Sequence, residues 1–232
     1  KSGGTVVKNV TGYDLSKLIT GSFGTLVALT EITLKVLPKK KLSNTITINT
    51  EDKKLVDELF EKISSSSSEV SGAVYIPVEP QDENYDHNKE MVFKFNDLEH
   101  KGSFVALRIE GDKISIDEKI KALTDELELN KLDTTILDVH QSTPFWRKIN
   151  NLELFKQTKN NLLRVVIPPS KGKKLMKYLG NKYKYYIDWC GSLYWVEVKS
   201  KKNTKVGEIK NLIKELGGYL TIIKTSDEYD YG

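Results

Sequence analysis

The feature that most constrains this chain is a glycine-rich segment near its start. Residues 8–15 read KNVTGYDL and residues 21–26 read GSFGTL. Because glycine has no Cβ, such a stretch lets backbone N–H groups approach a bulky anionic ligand closely. The segment runs into residues 32–37, which we expect to form a strand that Pro38 ends. A glycine-rich loop that only turns would carry the same short motif, so both interpretations stand at this point.

Length, composition and charge exclude several classes of protein. The chain has 232 residues, 38% hydrophobic and 29% charged, as in an ordinary globular protein with one large domain or two small ones. No apolar run approaches the roughly 18 residues of a membrane-spanning helix. A net charge of +4, from 36 basic and 32 acidic residues, is too balanced for a dedicated nucleic-acid-binding protein.

Cysteine and histidine give no sign of a metal or thiol site. The single cysteine, Cys190, excludes an internal disulfide and a cysteine metal cluster. It adjoins a turn glycine, and we expect it to pack rather than to act as a nucleophile. His87, His100 and His140 are far apart and show no metal-ligand spacing, so we expect no metal site. No catalytic residue is identified from the sequence.

Two rounds of alternating strand and helix patterns follow a lysine-rich hinge at residues 39–41. They span about residues 45–140 and 160–223, and each reads strand–helix–strand, strand–helix–strand. This order predicts an α+β domain, a duplicated ferredoxin-like βαβ-βαβ unit with an antiparallel sheet and helices on one face. Between the rounds we expect Ser142 or Thr143 to cap a helix whose first position is Pro144.

The individual elements can be predicted from periodicity and from turn residues. Predicted strands cover residues 45–49, 72–78, 91–95, 104–110, 134–139, 162–167, 184–189, 192–198 and 219–223. Predicted helices cover residues 52–63, 116–129 and 204–216, with one more beginning at Ser170.

Arginine is rare among the basic residues, since only Arg108, Arg147 and Arg164 are not lysines. A guanidinium makes a planar, two-pronged contact with a carboxylate that lysine does not reproduce. Each arginine is therefore a candidate to bind a ligand carboxylate, and a structural ion pair is the alternative. On its predicted strand, Arg164 lies on the face opposite Leu163 and Val165, where it needs a carboxylate partner or a ligand.

Two groups of motifs resemble known flavoproteins. The string NVTGYDLxKLxxGSFGTLxxxTExTLKVLP is similar to the second half of the flavin domain of the vanillyl-alcohol-oxidase-type (PCMH-type) FAD enzymes. Further on come an FWR helix, an LR strand before a proline pair, and a DWxGxxxW hairpin. In this order they resemble the FAD-binding E subunits of bacterial glycolate oxidase, over nearly the whole chain. The chain departs from that family at Val27 and Cys190, where glycine is usual.

The resemblance implies a domain organisation and a set of cofactor contacts. Residues 1–41 would be the incomplete C-terminal part of the FAD-binding domain, and residues 42–232 the substrate or cap domain. Arg147 and Arg164 would contact a substrate or partner carboxylate. The pyrophosphate loop normally lies upstream, so we expect a fragment that retains no FAD alone. The residues implied to line FAD are Asn9, Thr11, Gly12, Tyr13, Gly21, Ser22 and Gly24.

The resemblance also implies an activity and partners. The activity is oxidation of glycolate or a related small 2-hydroxy acid, with electrons passing from the substrate through the flavin. The partners are a flavin D subunit and an iron–sulfur F subunit, in the cytoplasm at the inner face of the membrane. The alternative is a non-catalytic assembly subunit whose flavin segment no longer binds FAD. We expect the isolated fragment to be inactive, and whether this subunit itself oxidises substrate stays open.

Overall fold

The computed structural model describes residues 13–36, 38, 40–77, 92–95, 98–180, 182–199 and 204–225. The chain divides into two units, Lys1–Lys39 and Lys40–Gly232. In the first unit, helix α1 (Leu15–Ile19) is capped by Asp14, whose side chain accepts the amide of Lys17. The assignment of these units to a flavin domain and a cap domain stays a prediction.

The strand predicted over residues 32–37 is wrong in its described part. Residues 31–36 adopt no regular structure and are all exposed, while Leu37 lies outside the described residues. Ile32, Leu34 and Val36 have 63%, 74% and 78% of their surface exposed. A strand needs a neighbouring strand to take up its backbone hydrogen bonds, and this segment pairs with none of the described strands.

The second unit is built on a sheet of eight antiparallel strands with helices packed against it. The strands of this sheet are β1 (Leu42–Asn49), β2 (Val70–Ile76), β5 (Phe104–Gly111), β6 (Thr134–Leu137), β7 (Asn161–Val166), β8 (Lys184–Asp188), β9 (Leu193–Val198) and β10 (Tyr219–Lys224). Strands β3 (Val92–Phe95) and β4 (Leu98–Lys101) form a separate pair. The helices are α2 (Lys53–Ser65), α3 (Lys113–Glu126), α4 (Val139–Asn150), α5 (Gly172–Leu179) and α6 (Thr204–Glu215).

The two halves of the sheet repeat one strand order. The first half runs β6-β1-β5-β2 and the second runs β10-β7-β9-β8, so each is fourth, first, third, second in chain order. This is the order of the ferredoxin-like unit. The equivalent strands β2 and β8 join the halves through one registered pair, Tyr75 with Ile187. The predicted α+β class and antiparallel sheet are confirmed, and both predicted rounds of strands and helices are present.

Helices α2, α3, α5 and α6 cover one face of the sheet, which we call the helix-covered face. In α2 the buried residues recur every three or four positions, as expected for a helix with one apolar side. They join a single buried cluster that extends under both halves of the sheet. Its members on the central strands include Tyr75, Leu107, Ile187 and Val196. The main core therefore lies on this face.

Helix α4 lies on the opposite face, which we call the α4 face, and this corrects the prediction that all helices share one face. Phe145, Trp146 and Ile149 of α4 are buried against Val74 and Ala106 of the sheet. The strands supply apolar residues to both faces, because alternate side chains point to opposite sides. A second, smaller core therefore forms beneath α4.

The start of α4 also differs from the prediction. The helix begins at Val139, because Asp138 forms a capping box with Gln141. Pro144 therefore lies inside the helix rather than at its first position. Within the described residues, no helix has the length and apolar character needed to cross a membrane.

Candidate functional site

The glycine-rich segment is described only in part. Asn9, Thr11 and Gly12 lie outside the described residues. Gly21 and Gly24 have φ angles of +86° and +76°, values that favour glycine. A Cβ added at either position would meet nothing within 4 Å, so backbone conformation rather than packing requires these glycines.

The described side chains of the same segment are exposed or half-buried. Tyr13 has 92% of its surface exposed, and Ser22 is half-buried. The carbonyl of Ser22 accepts hydrogen bonds from both the amide and the hydroxyl of Thr25. This geometry suits both a ligand-binding loop and a simple turn, and the flavin contacts stay a prediction.

Residues from the three motifs of the second unit lie on one face of the sheet, on both sides of the join between its two halves. Trp146 comes from α4, Arg164 from β7, and Asp188 and Trp189 from the end of β8. All lie on the α4 face or at its edge. Arg108 of β5 joins them, because its guanidinium carbon lies 4.9 Å from the ring centroid of Trp146. We call these five residues the junction cluster.

Arg108 is held over strand β2 by a glycine and a serine. Its Nε donates to Ser71 Oγ at 3.0 Å and its Nη2 to the Ser71 carbonyl at 2.9 Å. A Cβ added at Gly72 would lie 3.1 Å from the Trp146 ring and 3.4 Å from Arg108 Nε. Glycine at position 72 therefore lets both side chains lie close to the backbone of β2.

Sequence reasoning did not assign Arg108 to this cluster. Glu110 lies two residues further along the same strand, with Oε2 3.6 Å from Arg108 Nε. In the sequence, only the rarity of arginine indicated Arg108 as a candidate. The pairing of β5 with β2, which places Arg108 opposite Gly72, could not be read from a local pattern.

Arg164 lies on the predicted face of its strand. Leu163 and Val165 point into the core of the helix-covered face, and Arg164 points to the α4 face. Its guanidinium carbon lies 5.2 Å from the ring centroid of Trp189, a cation–π contact. Among the described residues, no carboxylate lies within 4.0 Å of it, so the alternative of a structural ion pair is not observed there.

Asp188 is a half-buried carboxyl at the end of β8, within range of the Arg108 charge. Burial raises its pKa, while the amide of Trp189 and the charge of Arg108 act in the opposite direction. The Trp189 amide donates to Asp188 Oδ1 at 2.7 Å. Asp188 thus caps the short 3-10 turn at Trp189–Gly191 and is held in one position.

The turn that follows Asp188 has a strained backbone. Trp189 and Cys190 have φ angles of +51° and +49°, in the left-handed region that non-glycine residues rarely adopt. This conformation leaves the Trp189 side chain 54% exposed beside Arg164. Strain of this kind often marks functional sites, where surrounding structure maintains it.

Other candidates lie outside the cluster. Arg147 is exposed on α4. Burial raises the pKa of the Cys190 thiol, which disfavours the reactive thiolate form. In the described part of the chain, no group of three or more histidine, cysteine or acidic side chains could hold a metal ion.

Comparison with known proteins identifies subunits of glycolate oxidase as relatives, and no family model matches the chain. The chain is 25% identical over 226 residues to glycolate oxidase subunit GlcE of Escherichia coli (strain K12). This match covers 97% of the chain and 51% of that protein. A shorter match of 80 residues, 35% identical, links 34% of the chain to 15% of glycolate oxidase subunit GlcD of Bacillus subtilis (strain 168).

The chain therefore spans about half the length of the E subunit that it matches. The similarity to glycolate oxidase E subunits, which the sequence motifs predicted, is confirmed. It extends through both units of the structure, from the glycine-rich segment to the last strand.

Proposed function

We propose that the chain is part of the FAD-binding subunit of a complex that oxidises glycolate or a related 2-hydroxy acid. The observation that carries this proposal is the match to a glycolate oxidase subunit over 97% of the chain. The class of reaction is FAD-dependent oxidation and reduction. Electrons would pass from the substrate through the flavin to the other subunits.

FAD would supply the hydride chemistry, and the protein would position and surround it. Gly21 and Gly24 fit such a role, because their backbones are open on the side where a Cβ would stand. Small or polar groups with exposed backbone suit close contact with a large anionic cofactor. The proposed contacts are Asn9, Thr11, Gly12, Tyr13, Gly21, Ser22 and Gly24.

The proposed partners are a flavin-containing D subunit and an iron–sulfur F subunit, in the cytoplasm at the inner face of the membrane. Arg147 and Arg164 have different surroundings and suit different carboxylates. Arg147 is exposed on α4 and is suited to a carboxylate of a partner protein. Arg164, half-buried and stacked on Trp189, is suited to a substrate carboxylate.

A second candidate is a non-catalytic assembly subunit that no longer binds FAD. It is favoured by the exposed apolar side chains of the first unit. Leu18, Phe23 and Leu34 have 65%, 85% and 74% of their surface exposed. Such side chains suit a surface that another protein covers.

The flavin content of the complete protein tests the proposal. We expect the protein, purified with its partner subunits, to carry FAD whose visible absorbance is bleached by glycolate without oxygen. Gly24→Ala should lower the FAD content, because its φ of +76° strains any other residue. Gly207→Ala is the matched control, since a Cβ there meets nothing within 4 Å.

Three outcomes test the cofactor, the substrate class and the assembly role. A colourless complete protein that still assembles with its partners would support the assembly role. A flavin that glycolate does not bleach would contradict the proposed substrate class. We expect the isolated 1–232 chain to be colourless, and a yellow preparation would show that residues 1–232 retain FAD by themselves.

A further inference from the structure

Trp189 belongs to the DWxGxxxW motif, and packing alone does not explain its position. Its side chain is 54% exposed, so a large part of the stabilisation that burial gives a tryptophan is lost. Its φ of +51° lies in the left-handed region, which is unfavourable for a bulky side chain and easier for asparagine or glycine. The stability of the fold therefore does not explain the tryptophan at position 189.

The turn that carries Trp189 is anchored on both sides. Asp188 Oδ1 accepts the Trp189 amide at 2.7 Å, and the Ser192 amide donates to the Trp189 carbonyl at 3.2 Å. The Ser192 carbonyl accepts the amide of Ile167 at 3.0 Å, which ties the turn to the chain directly after β7. These contacts hold the strained backbone of Trp189 next to the strand that carries Arg164.

The exposed ring supports the guanidinium group of Arg164. The guanidinium carbon lies 5.2 Å from the centroid of the Trp189 ring, and the Arg164 side chain is half-buried. A ring against a guanidinium group restricts its plane and leaves its edge available for hydrogen bonds. A side chain restricted in this way loses less entropy when it binds an anion. Trp189 therefore prepares Arg164 for a ligand that contacts the edge of its guanidinium group.

Arg108 and Arg164 both lie over a tryptophan ring, but they differ in their remaining contacts. Arg108 donates from Nε and Nη2 to Ser71, and Glu110 Oε2 lies 3.6 Å from its Nε. Within the described ranges, no hydrogen bond or ion pair engages the guanidinium group of Arg164. Its edge can therefore donate two parallel hydrogen bonds to a carboxylate.

We propose that Trp189 is a positioning residue, which orients Arg164 so that the guanidinium edge binds the carboxylate of the substrate. Arg164 makes the contact with the carboxylate, and Trp189 acts through Arg164. The class of ligand, a small 2-hydroxy acid, rests on the proposed function. The role of Trp189 rests on its backbone conformation, its exposure and its contact with Arg164. A ring with this role contributes to affinity and not to stability.

Titration of glycolate into the purified 1–232 chain tests this role without any flavin, with calorimetry as the measurement. Trp189→Asn removes the ring and suits the left-handed backbone. We therefore expect an equal or higher melting temperature, by circular dichroism, together with about threefold to fivefold weaker binding. Trp189→Phe keeps an aromatic face and should restore most of the affinity. Arg164→Lys should weaken binding about tenfold, because lysine cannot make the planar, two-pronged contact.

Ile136→Asn is the matched control. Ile136 is also 54% exposed, and it lies on β6, the strand at the outer edge of the first half of the sheet. The same replacement there should leave the affinity for glycolate unchanged. In the complete complex, Trp189→Asn should raise the KM for glycolate by the same factor as in the titration. It should leave kcat within about twofold, because the ring orients a binding group and does not touch the reacting atoms.

The outcomes distinguish this inference from the proposed function. No glycolate binding, an unchanged affinity in Trp189→Asn, or a Trp189→Asn variant that melts lower would overturn the positioning role. If the complete complex still reduced its flavin with glycolate, the proposed function would stand without it. Binding that depends on both Trp189 and Arg164, in a complex whose flavin glycolate does not reduce, would support the inference and contradict the function.

Discussion

At the residue scale, the Tyr194 hydroxyl and Asp57 Oδ2 are among the buried oxygens that have no hydrogen-bond partner among the described residues. Tyr194 is fully buried, and burial raises its pKa well above the usual value for tyrosine. A buried polar group without a partner costs about 1–3 kcal/mol. Both groups lie beside Gly172, where a Cβ would stand 2.9 Å from the hydroxyl and 3.9 Å from Asp57 Oδ1.

A double-mutant cycle tests this packing. Gly172→Ala should destabilise the protein by about 1–3 kcal/mol, because the new methyl group overlaps the Tyr194 hydroxyl. Tyr194→Phe removes both the overlap and the unpaired group, so it should leave stability equal or raise it by about 1 kcal/mol. In the double variant the cost of Gly172→Ala should largely disappear, as measured by urea unfolding. Strictly additive effects would show that the two sites do not touch.

The raised pKa of Asp188 predicts how stability varies with pH. Its carboxyl has a higher pKa in the folded protein than its ordinary value of 3.8, so the folded state binds the proton more tightly. Stability from this group is therefore greatest at low pH and is lost as pH rises from 3.8 through the folded pKa.

We expect Asp188→Asn to melt at a higher temperature than the natural protein at neutral pH. Asparagine keeps an acceptor for the Trp189 amide but carries no charge to bury. The difference should shrink as the pH falls below 3.8, where the natural carboxyl becomes protonated in the unfolded state as well as in the folded state. A variant that melts lower at neutral pH would show that the interaction with Arg108 outweighs burial.

At the scale of elements, periodic patterns predicted the second unit well and the first poorly. Strand β9 and helix α6 were predicted within one residue at each end, because each has alternate or spaced apolar residues facing one core. Residues 31–36 show the same alternation and form no strand. A local pattern records which residues are apolar, and pairing partners decide whether a strand forms.

The candidate site was predictable only in part, for a related reason. Arg164 was placed on its face by simple alternation along β7. The contact of Arg108 with Trp146 depends on the pairing of β5 with β2 and on the position of α4. We predicted that all helices lie on one face of the sheet. That prediction did not allow for this contact, because α4 lies on the other face.

The end of α6 depends on two glycines with different requirements. Gly217 has a φ of +76° and open space around it, so Gly217→Ala should cost about 1–2 kcal/mol of backbone strain. At Gly218 a Cβ would lie 2.4 Å from the Val166 carbonyl oxygen. Gly218→Ala should therefore cost at least about 3 kcal/mol, because the backbone of β7 cannot move aside. Thermal unfolding checks the order, and equal costs would contradict it.

The docking of α4 onto β1 depends on a buried polar contact. Trp146 Nε1 donates to Thr45 Oγ1 at 2.8 Å, and the same oxygen lies 2.7 Å from Ser142 Oγ. Thr45→Val should cost about 1–3 kcal/mol, because it leaves the indole N–H buried without an acceptor. Thr47→Val is the control, since among the described residues Thr47 Oγ1 donates only to the Thr135 carbonyl, and it should cost about 1 kcal/mol or less.

At the scale of the whole molecule, one core joins the two halves of the sheet although a single registered pair links them. Tyr75 and Ile187 form that pair, and both lie in the cluster on the helix-covered face. Because the buried cluster continues beneath both halves, they should unfold together. The first unit contributes none of the described residues in that cluster.

Amide hydrogen exchange measures this organisation directly. We expect residues 13–25 to exchange much faster than β7 and β9, because they are mostly exposed and contain one five-residue helix. Strands β5 and β9, one from each half, should share the same slowest exchange. Deep protection at residues 13–25 would show that the two units unfold as one, and unequal protection of β5 and β9 would show that the halves separate.

The pairing of β2 with β8 has a consequence for how such a chain could have arisen. Each of these strands is the second in chain order within its half. The two run antiparallel, as they would if a two-fold axis related the two halves. The unit therefore has the form of a homodimer whose subunits have been fused. Fusion frees the two copies to diverge, and here only one carries α4. A symmetric dimer would have two equivalent faces, whereas in the fused chain Arg108 lies over Trp146 and Arg164 lies over Trp189.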